Sequence, residues 1–150
     1  QLLGTIHRGD YTHVWMLNDS FILSLYDFPE KLKSICAAKG IKTFAYMPVD
    51  APVEPEWCDI ARAVDCPVAY TRYGKAQFDR WLAVTSNRTV RVLPHGVDVE
   101  KYHPLPNREA LRQKWFKGWL EPDDLLLLNV NAHQRRKGLP QSFQVLAELI

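Results

Sequence analysis

The sequence has little net charge, no long apolar run and no even set of cysteines. Nineteen Lys and Arg residues against seventeen Asp and Glu residues give a formal charge of +2, which does not favour nucleic acid as a partner. No apolar stretch approaches the roughly 18 residues that span a bilayer, and the first residues do not resemble a signal peptide. The three cysteines, Cys36, Cys58 and Cys66, show neither a pairing pattern nor metal-ligand spacing. We therefore expect reduced thiols, a cytoplasmic location and no metal site.

The sequence does contain enough apolar residues for a folded domain. They make up 47% of the 150 residues, which is typical of globular proteins. Short apolar runs alternate with helical patterns, and this alternation predicts an α/β fold with a parallel sheet. Strands are predicted at 13–18, 42–47, 66–70 and 90–93. Helices are predicted at 28–39, 56–64, 72–83 and 108–116.

Residues 94–106 read PHGVDVEKYHPLP and interrupt this alternation. Three prolines and a glycine prevent a regular element there, so the segment is interpreted as a connector between two packed units. Within it, His95 and Asp98 are expected to fix the chain by hydrogen bonds to the backbone.

The most informative local pattern lies in residues 125–150. The apolar run LLLLNV at 125–130 predicts a strand buried on both faces of a parallel sheet. The turn after it holds Arg135, Arg136 and Lys137, then Gly138, and a helical stripe follows. Backbone N–H groups at a helix start already favour anions, and three cations would strengthen that preference into a phosphate site. A basic turn that is merely solvated is the alternative.

Two aspartates follow the ends of predicted strands. Asp19 comes just after the first strand and Asp50 just after the second. Ligands of open parallel sheets bind beyond the carboxyl ends of the strands, so both carboxylates are candidates for binding an acceptor hydroxyl. Turn capping is the alternative function for each.

Four segments resemble family-4 retaining glycosyltransferases. VLPHGVDVEKYHPL, at residues 92–105, is similar to the interdomain signature of that family. Residues 129–139 resemble its donor-phosphate loop. AYMPVDAP at 45–52 and YTRYGKAQF at 70–78 resemble segments of its N-terminal domain. The matches follow one another in the family's order and together cover roughly residues 13–150.

The resemblance implies a GT-B fold of α/β class, with two Rossmann-like parallel-sheet domains that are each only partly present. Residues 1–99 would be the later part of the N-terminal, acceptor-side domain. Residues 100–106 would be the connector, and residues 107–150 the start of the C-terminal, donor-side domain. The chain is then expected to be a segment of a longer protein and inactive by itself.

The resemblance also implies an activity. A sugar would move from a nucleotide-sugar donor to an acceptor hydroxyl with retention, without a metal ion and without any cofactor beyond the donor itself. Lys137 matches the family lysine on the donor diphosphate, and Arg136, Arg135 and Gly138 surround it. The family's second cation, an arginine, falls here on Ala132. No catalytic residue is assigned. The implied partners are the nucleotide sugar and a sugar, lipid or other hydroxyl acceptor, and peripheral membrane contact is compatible with them.

Two other classes of function stay open. The missing arginine is compatible with a non-catalytic module that binds nucleotide sugars or phosphate without transfer. Another enzyme on the GT-B scaffold, such as an epimerase or a phosphorylase, is the second alternative. A dinucleotide oxidoreductase is disfavoured because no G-x-G-x-x-G follows a strand. Nucleic-acid binding is disfavoured because the basic turn lacks a wider positive face.

Overall fold

A computed structural model describes residues 2–121 and 123–149 of the chain. The chain divides into two compact units, Gln1–Asp98 and Val99–Ile150. Among the described residues, no helix combines the length and the apolar character that crossing a bilayer requires.

The first unit is built around a four-stranded parallel sheet. The strands lie in chain order as β1 (His13–Leu17), β2 (Lys42–Met47), β3 (Cys66–Ala69) and β4 (Arg91–Val92). In this register Leu17 pairs with Tyr46, and Tyr46 with Val68. The predicted α/β class and the positions of the four strands are confirmed, although β4 is shorter than predicted.

Five helices accompany the sheet in the first unit. They are α1 (Leu2–Arg8), α2 (Ser20–Leu23), α3 (Phe28–Ala38), α4 (Asp59–Ala63) and α5 (Arg72–Thr85). A 3₁₀ turn, Pro55–Cys58, precedes α4, and the two together occupy the helix predicted at 56–64. The sequence did not predict α1 and α2, because seven and four residues are too few to show a helical period.

Local signals fix the ends of α3 and α5. The Thr71 hydroxyl accepts a hydrogen bond from the Gly74 N–H at 3.0 Å and so caps α5. Asp27 precedes α3 but does not cap it, and its carboxylate pairs instead with Lys31 at 2.6 Å. At the other end of α3, Gly40 has a positive φ of 66°, which favours glycine where a helix ends.

One face of the sheet carries the hydrophobic core. Successive neighbouring strands joined by right-handed connections place their helices on the same side, and the buried side chains reflect this arrangement. The core includes Met16, Ala45, Met47 and Ala69 from the sheet and Leu32, Ile60, Phe78 and Leu82 from the helices. Burial of these side chains is the main stabilising contribution in the first unit.

The opposite face of the sheet carries a row of aromatic rings. Trp15, which is 52% exposed, stacks on Phe44 with 5.3 Å between ring centroids. Tyr46 lies 5.9 Å from Trp15 and 4.3 Å from Tyr70. The row ends at His95, whose ring centroid is 3.8 Å from that of Tyr70. Tyr46 is buried but lies outside the helix-side core, so this face has its own packing.

The second unit contains helices α6 (Arg108–Phe116) and α7 (Leu139–Leu149), with a 3₁₀ turn at Arg135–Lys137. The helix predicted at 108–116 is confirmed. None of the described residues in this unit forms a strand, and none is buried.

The prediction of a strand at 125–130 is therefore wrong. The run has no regular secondary structure, and Leu125 and Val130 are 82% and 81% exposed. A strand needs a neighbour to accept and donate its backbone hydrogen bonds, and the described part of this unit supplies none. Two open cavities remain beside the run. Leu125 and Leu126 line one with α6, and Leu127 and Leu128 line the other with α7.

Candidate functional site at the carboxyl edge of the sheet

A cavity of about 130 Å³ lies where β1 and β2 end. The turn after β1 contributes Asp19, and the segment after β2 contributes Asp50. The other lining residues are Ser20, Phe21, Pro48, Val49, Ala51, Val53 and Trp57. Parallel strands place their carboxyl ends at one edge of the sheet, which is why two aspartates about thirty residues apart meet here. The structure thus brings both acceptor-side candidates to one cavity.

The walls of this cavity are held by α5 and by the segment before α4. The Trp81 indole N–H donates a hydrogen bond to the Val53 carbonyl at 2.7 Å. The Ser24 hydroxyl donates to the Trp57 carbonyl at 3.1 Å. Gly74 allows α5 to approach closely, because a Cβ atom there would lie 3.0 Å from the Cβ of Val49. The irregular segment at 48–54, which supplies five of the nine lining residues, is therefore held against α5.

The backbone of Asp19 bonds to the first turn of α2, whereas its carboxylate does not. The Asp19 carbonyl accepts hydrogen bonds from Ile22 and Leu23 at 3.1 Å each, which opens α2. Its side chain makes no capping hydrogen bond. Asp19 is half-buried and Asp50 is exposed. Turn capping, the alternative for Asp19, is thus not what its carboxylate does in this structure.

A polar and aromatic cluster extends the same edge toward β4. The Tyr46 hydroxyl donates a hydrogen bond to the Leu93 carbonyl at 2.9 Å and lies 3.2 Å from Nδ1 of His95. Burial raises the pKa of Tyr70, and the charges of Tyr46 and Asp19 raise it further.

The sequence did not predict this cluster. His95 was expected to bond to the backbone, whereas the polar partner that it finds is the Tyr46 hydroxyl. A signal was nevertheless present, because Tyr70 directly follows β3 and His95 follows β4 by three positions. Residues just beyond the carboxyl ends of parallel strands are those most often placed at a ligand site.

The donor-side candidates lie in the second unit. Arg135, Arg136 and Lys137 form the 3₁₀ turn, and α7 begins two residues after the lysine. Gly138 has a φ of 63°, a backbone conformation that favours glycine. The Gln134 side chain accepts a hydrogen bond from Nε of Arg136 at 3.1 Å, which orients one guanidinium. Both arginines are exposed and Lys137 is half-buried.

Groups of three or more His, Cys, Asp or Glu side chains that could hold a metal ion do not occur within residues 2–121 and 123–149.

Comparisons of the chain with protein-family models, curated proteins and solved structures gave no significant match. The four-stranded parallel sheet is compatible with a Rossmann-like domain. The resemblance to glycosyltransferases rests on the motifs at 45–52, 70–78, 92–105 and 129–139.

Proposed function

We propose that this chain is the central part of a GT-B glycosyltransferase similar to family 4, which moves a sugar from a nucleotide sugar to an acceptor hydroxyl with retention. The observation that carries the proposal is the cavity shared by Asp19 and Asp50 at the carboxyl edge of the sheet. This edge is where Rossmann-like domains bind their ligands. A cytoplasmic location belongs to the same proposal.

The first unit would serve the acceptor. Its cavity has apolar walls, including Phe21 and Trp57, and two carboxylates that can only accept hydrogen bonds when ionised. A hydroxyl group can donate to a carboxylate, and apolar walls exclude the water that would compete for it. The residues of the cavity thus support binding of a hydroxylated molecule.

The second unit would serve the donor. Transfer makes a nucleoside diphosphate depart, and its growing negative charge must be stabilised by groups that are already in place. Lys137 and the two arginines before it provide positive charge directly ahead of α7, where the helix dipole adds to it. Cationic side chains can perform this role without a metal ion, as the family resemblance implies.

Titration of nucleoside diphosphates tests the donor assignment. UDP, GDP and ADP would be titrated calorimetrically into the protein, its Lys137→Ala variant and a Lys117→Ala control. Lys117 is an exposed lysine of the same unit, just beyond α6. Loss of a charge-assisted phosphate contact should weaken binding about 10- to 150-fold in Lys137→Ala, and the control should bind as the unmodified protein does. Equal affinities in all three proteins would contradict the donor assignment.

Ala132 favours a second candidate function, a nucleotide-sugar-binding module without transfer. The family's second diphosphate cation is absent at this position, so the leaving group would be stabilised less well. Ala132→Arg should tighten diphosphate binding if the family's geometry is retained. Release of nucleoside diphosphate from UDP-, GDP- and ADP-sugars distinguishes the two functions. Tight binding with no release, in the longer protein to which this segment is proposed to belong and in its Ala132→Arg variant, would support the module and contradict the enzyme.

A further inference from the structure

Ser20 lines the cavity at the ends of β1 and β2 with a hydroxyl that has no partner in the protein. The residue is only 3% exposed, and its side chain forms no hydrogen bond with any described residue. Among the described residues, the one side-chain nitrogen or oxygen that is both fully buried and unpartnered is Nε of Arg112, so the Ser20 oxygen keeps access to the cavity. Buried hydroxyls are normally hydrogen-bonded, so a ligand in the cavity can supply the missing partner.

The two carboxylates of the cavity lack a charged partner as well. Four other aspartates of the first unit form ion pairs with a lysine or an arginine, namely Asp27, Asp59, Asp65 and Asp79. Asp19 and Asp50 form no ion pair with any described residue. The nine described residues that line the cavity include no lysine, arginine or histidine. The cavity therefore carries a negative charge that its own walls do not balance.

The remaining walls are apolar and include two aromatic rings. The ring centroids of Phe21 and Trp57 lie 5.6 Å apart, and the ring planes are inclined by 51°. Aromatic rings attract cations, and carboxylates form their strongest hydrogen bonds with charged donors. A phosphate or a carboxylate would be repelled by Asp19 and Asp50. The lining thus disfavours anions and favours a ligand that carries positive charge.

We propose that the ligand of this cavity is an amino polyol, that is, an amino sugar or an amino cyclitol that carries an ammonium group. The ammonium binds to the carboxylates of Asp19 and Asp50, and a hydroxyl group hydrogen-bonds to Ser20. This inference rests on the proposed acceptor role of the first unit and deepens it by specifying the charge of the acceptor. The cavity volume of about 130 Å³ is below the roughly 300 Å³ of sites that enclose drug-sized ligands, so one ring of the acceptor enters it.

Charged and neutral ring compounds isolate the effect of the ammonium group. Glucosamine and 2-deoxystreptamine are cationic at about pH 6, whereas glucose and myo-inositol are neutral. Each would be titrated into the full chain and followed by NMR, with EDTA present so that no metal ion bridges the ligand to the carboxylates. A hydrogen bond between charged groups is about twice as strong as a neutral one. We therefore expect the amino compounds to bind about five- to tenfold more tightly than the neutral ones.

Three variants identify the groups that bind. Asp19→Asn and Asp50→Asn retain an acceptor oxygen but remove the charge, so each should weaken glucosamine binding about tenfold and glucose binding much less. Ser20→Ala should weaken the binding of both compounds about fivefold, because the contact that it removes does not depend on charge. Asp10→Asn changes an exposed aspartate outside the cavity and should bind both compounds as the unmodified protein does. Unchanged melting temperatures would show that the variants fold.

The outcomes separate this inference from the proposed function. Equal binding of glucosamine and glucose would overturn the inference, and the acceptor role would remain if both depended on Asp19. Glucosamine binding that none of the three variants weakens would place the ligand elsewhere and overturn the inference too. Failure of all four compounds to bind would overturn both the inference and the acceptor role. The diphosphate titration at Lys137 is independent of these results, so failure of the donor assignment is distinguishable from failure of this one.

Discussion

The two units of this chain differ in how far they bury their apolar side chains. The first unit buries Leu32, Ile60 and Phe78 completely between a parallel sheet and its helices. The second unit, over the part that the structure describes, buries none, and Trp119 is 88% exposed. Both units contain apolar runs and amphipathic helices. The difference in burial therefore arises because only the elements of the first unit have neighbours to pack against.

The contrast between β2 and the run at 125–130 shows why. Each is a short apolar segment that sequence patterns assign to a buried strand. β2 lies between β1 and β3, which satisfy its backbone on both edges. The leucine run has no strand neighbour among the described residues of its unit and remains exposed. Apolar character makes a segment suitable for burial, but backbone pairing decides whether it becomes a strand.

Hydrogen exchange should show the largest difference between the units. Amides of β2 and β3 are expected to exchange only on global opening of the first unit, at least about a thousandfold more slowly than an unfolded chain. Amides of α6 and α7 are expected to exchange near the unfolded rate, because little apolar burial opposes their opening. Mass spectrometry of peptic fragments measures both in one sample. Strong protection of the α7 amides would contradict the expected difference in stability between the two units.

A matched pair of phenylalanines should sharpen the comparison at the level of single side chains. Phe78 on α5 is completely buried, and Phe143 on α7 is 69% exposed. Phe78→Ala should lower the free energy of unfolding of the first unit by about 3–5 kcal/mol, because it leaves a cavity in the core. Phe143→Ala should change stability by less than about 0.5 kcal/mol. Urea denaturation followed by circular dichroism measures both, and similar losses would contradict the assigned burial.

Sequence-based prediction was also more successful in the first unit than in the second. In the first unit the pattern predicted all four strands, because each of them has the strand neighbours that its sequence assumes. In the second unit it predicted α6 and the glycine after the basic turn, which depend on local residues alone. It was wrong for 125–130, whose outcome depends on a strand elsewhere.

Only part of the candidate site could be predicted from the sequence. Asp19 and Asp50 could be selected from their positions after apolar runs, because strand ends at one edge are a property of any parallel sheet. The contact between Tyr46 and His95 could not be predicted. It depends on a hydroxyl reaching across from β2 to the chain beyond β4, and no spacing in the sequence records that distance.

Substitution of Asp79 should have a smaller effect on stability. It tests how α5 is connected to β4, the shortest strand of the first unit. Its carboxylate accepts hydrogen bonds from the Val90 N–H at 2.9 Å and from Lys75 at 2.5 Å, and so ties α5 to the residue before β4. Burial by itself raises the pKa of Asp79, but hydrogen bonds from Lys75, Val90 and Thr89 and the charge of Lys75 outweigh burial and lower it. Asp79→Asn should therefore cost about 1 kcal/mol at neutral pH.

The pH dependence of that cost has a definite sign. A folded pKa below the ordinary 3.8 means that the carboxylate contributes its stability above pH 3.8 and loses it as the pH falls through the folded value. The stability difference between the natural protein and Asp79→Asn should thus be constant near neutrality and shrink below pH 3.8. Urea titrations at several pH values measure it, and a difference that grows in acid would contradict the assigned contacts.

Asp27→Asn is the matched control for Asp79, because both aspartates pair with a lysine four residues away along a helix. The Asp27–Lys31 pair is exposed, with 64% and 59% of the two side chains accessible, so solvent screens its attraction. Asparagine also suits the position before a helix. We expect no measurable change in stability at physiological salt. An equal loss in both variants would mean that the link from α5 to Val90 through Asp79 adds nothing beyond an ordinary surface ion pair.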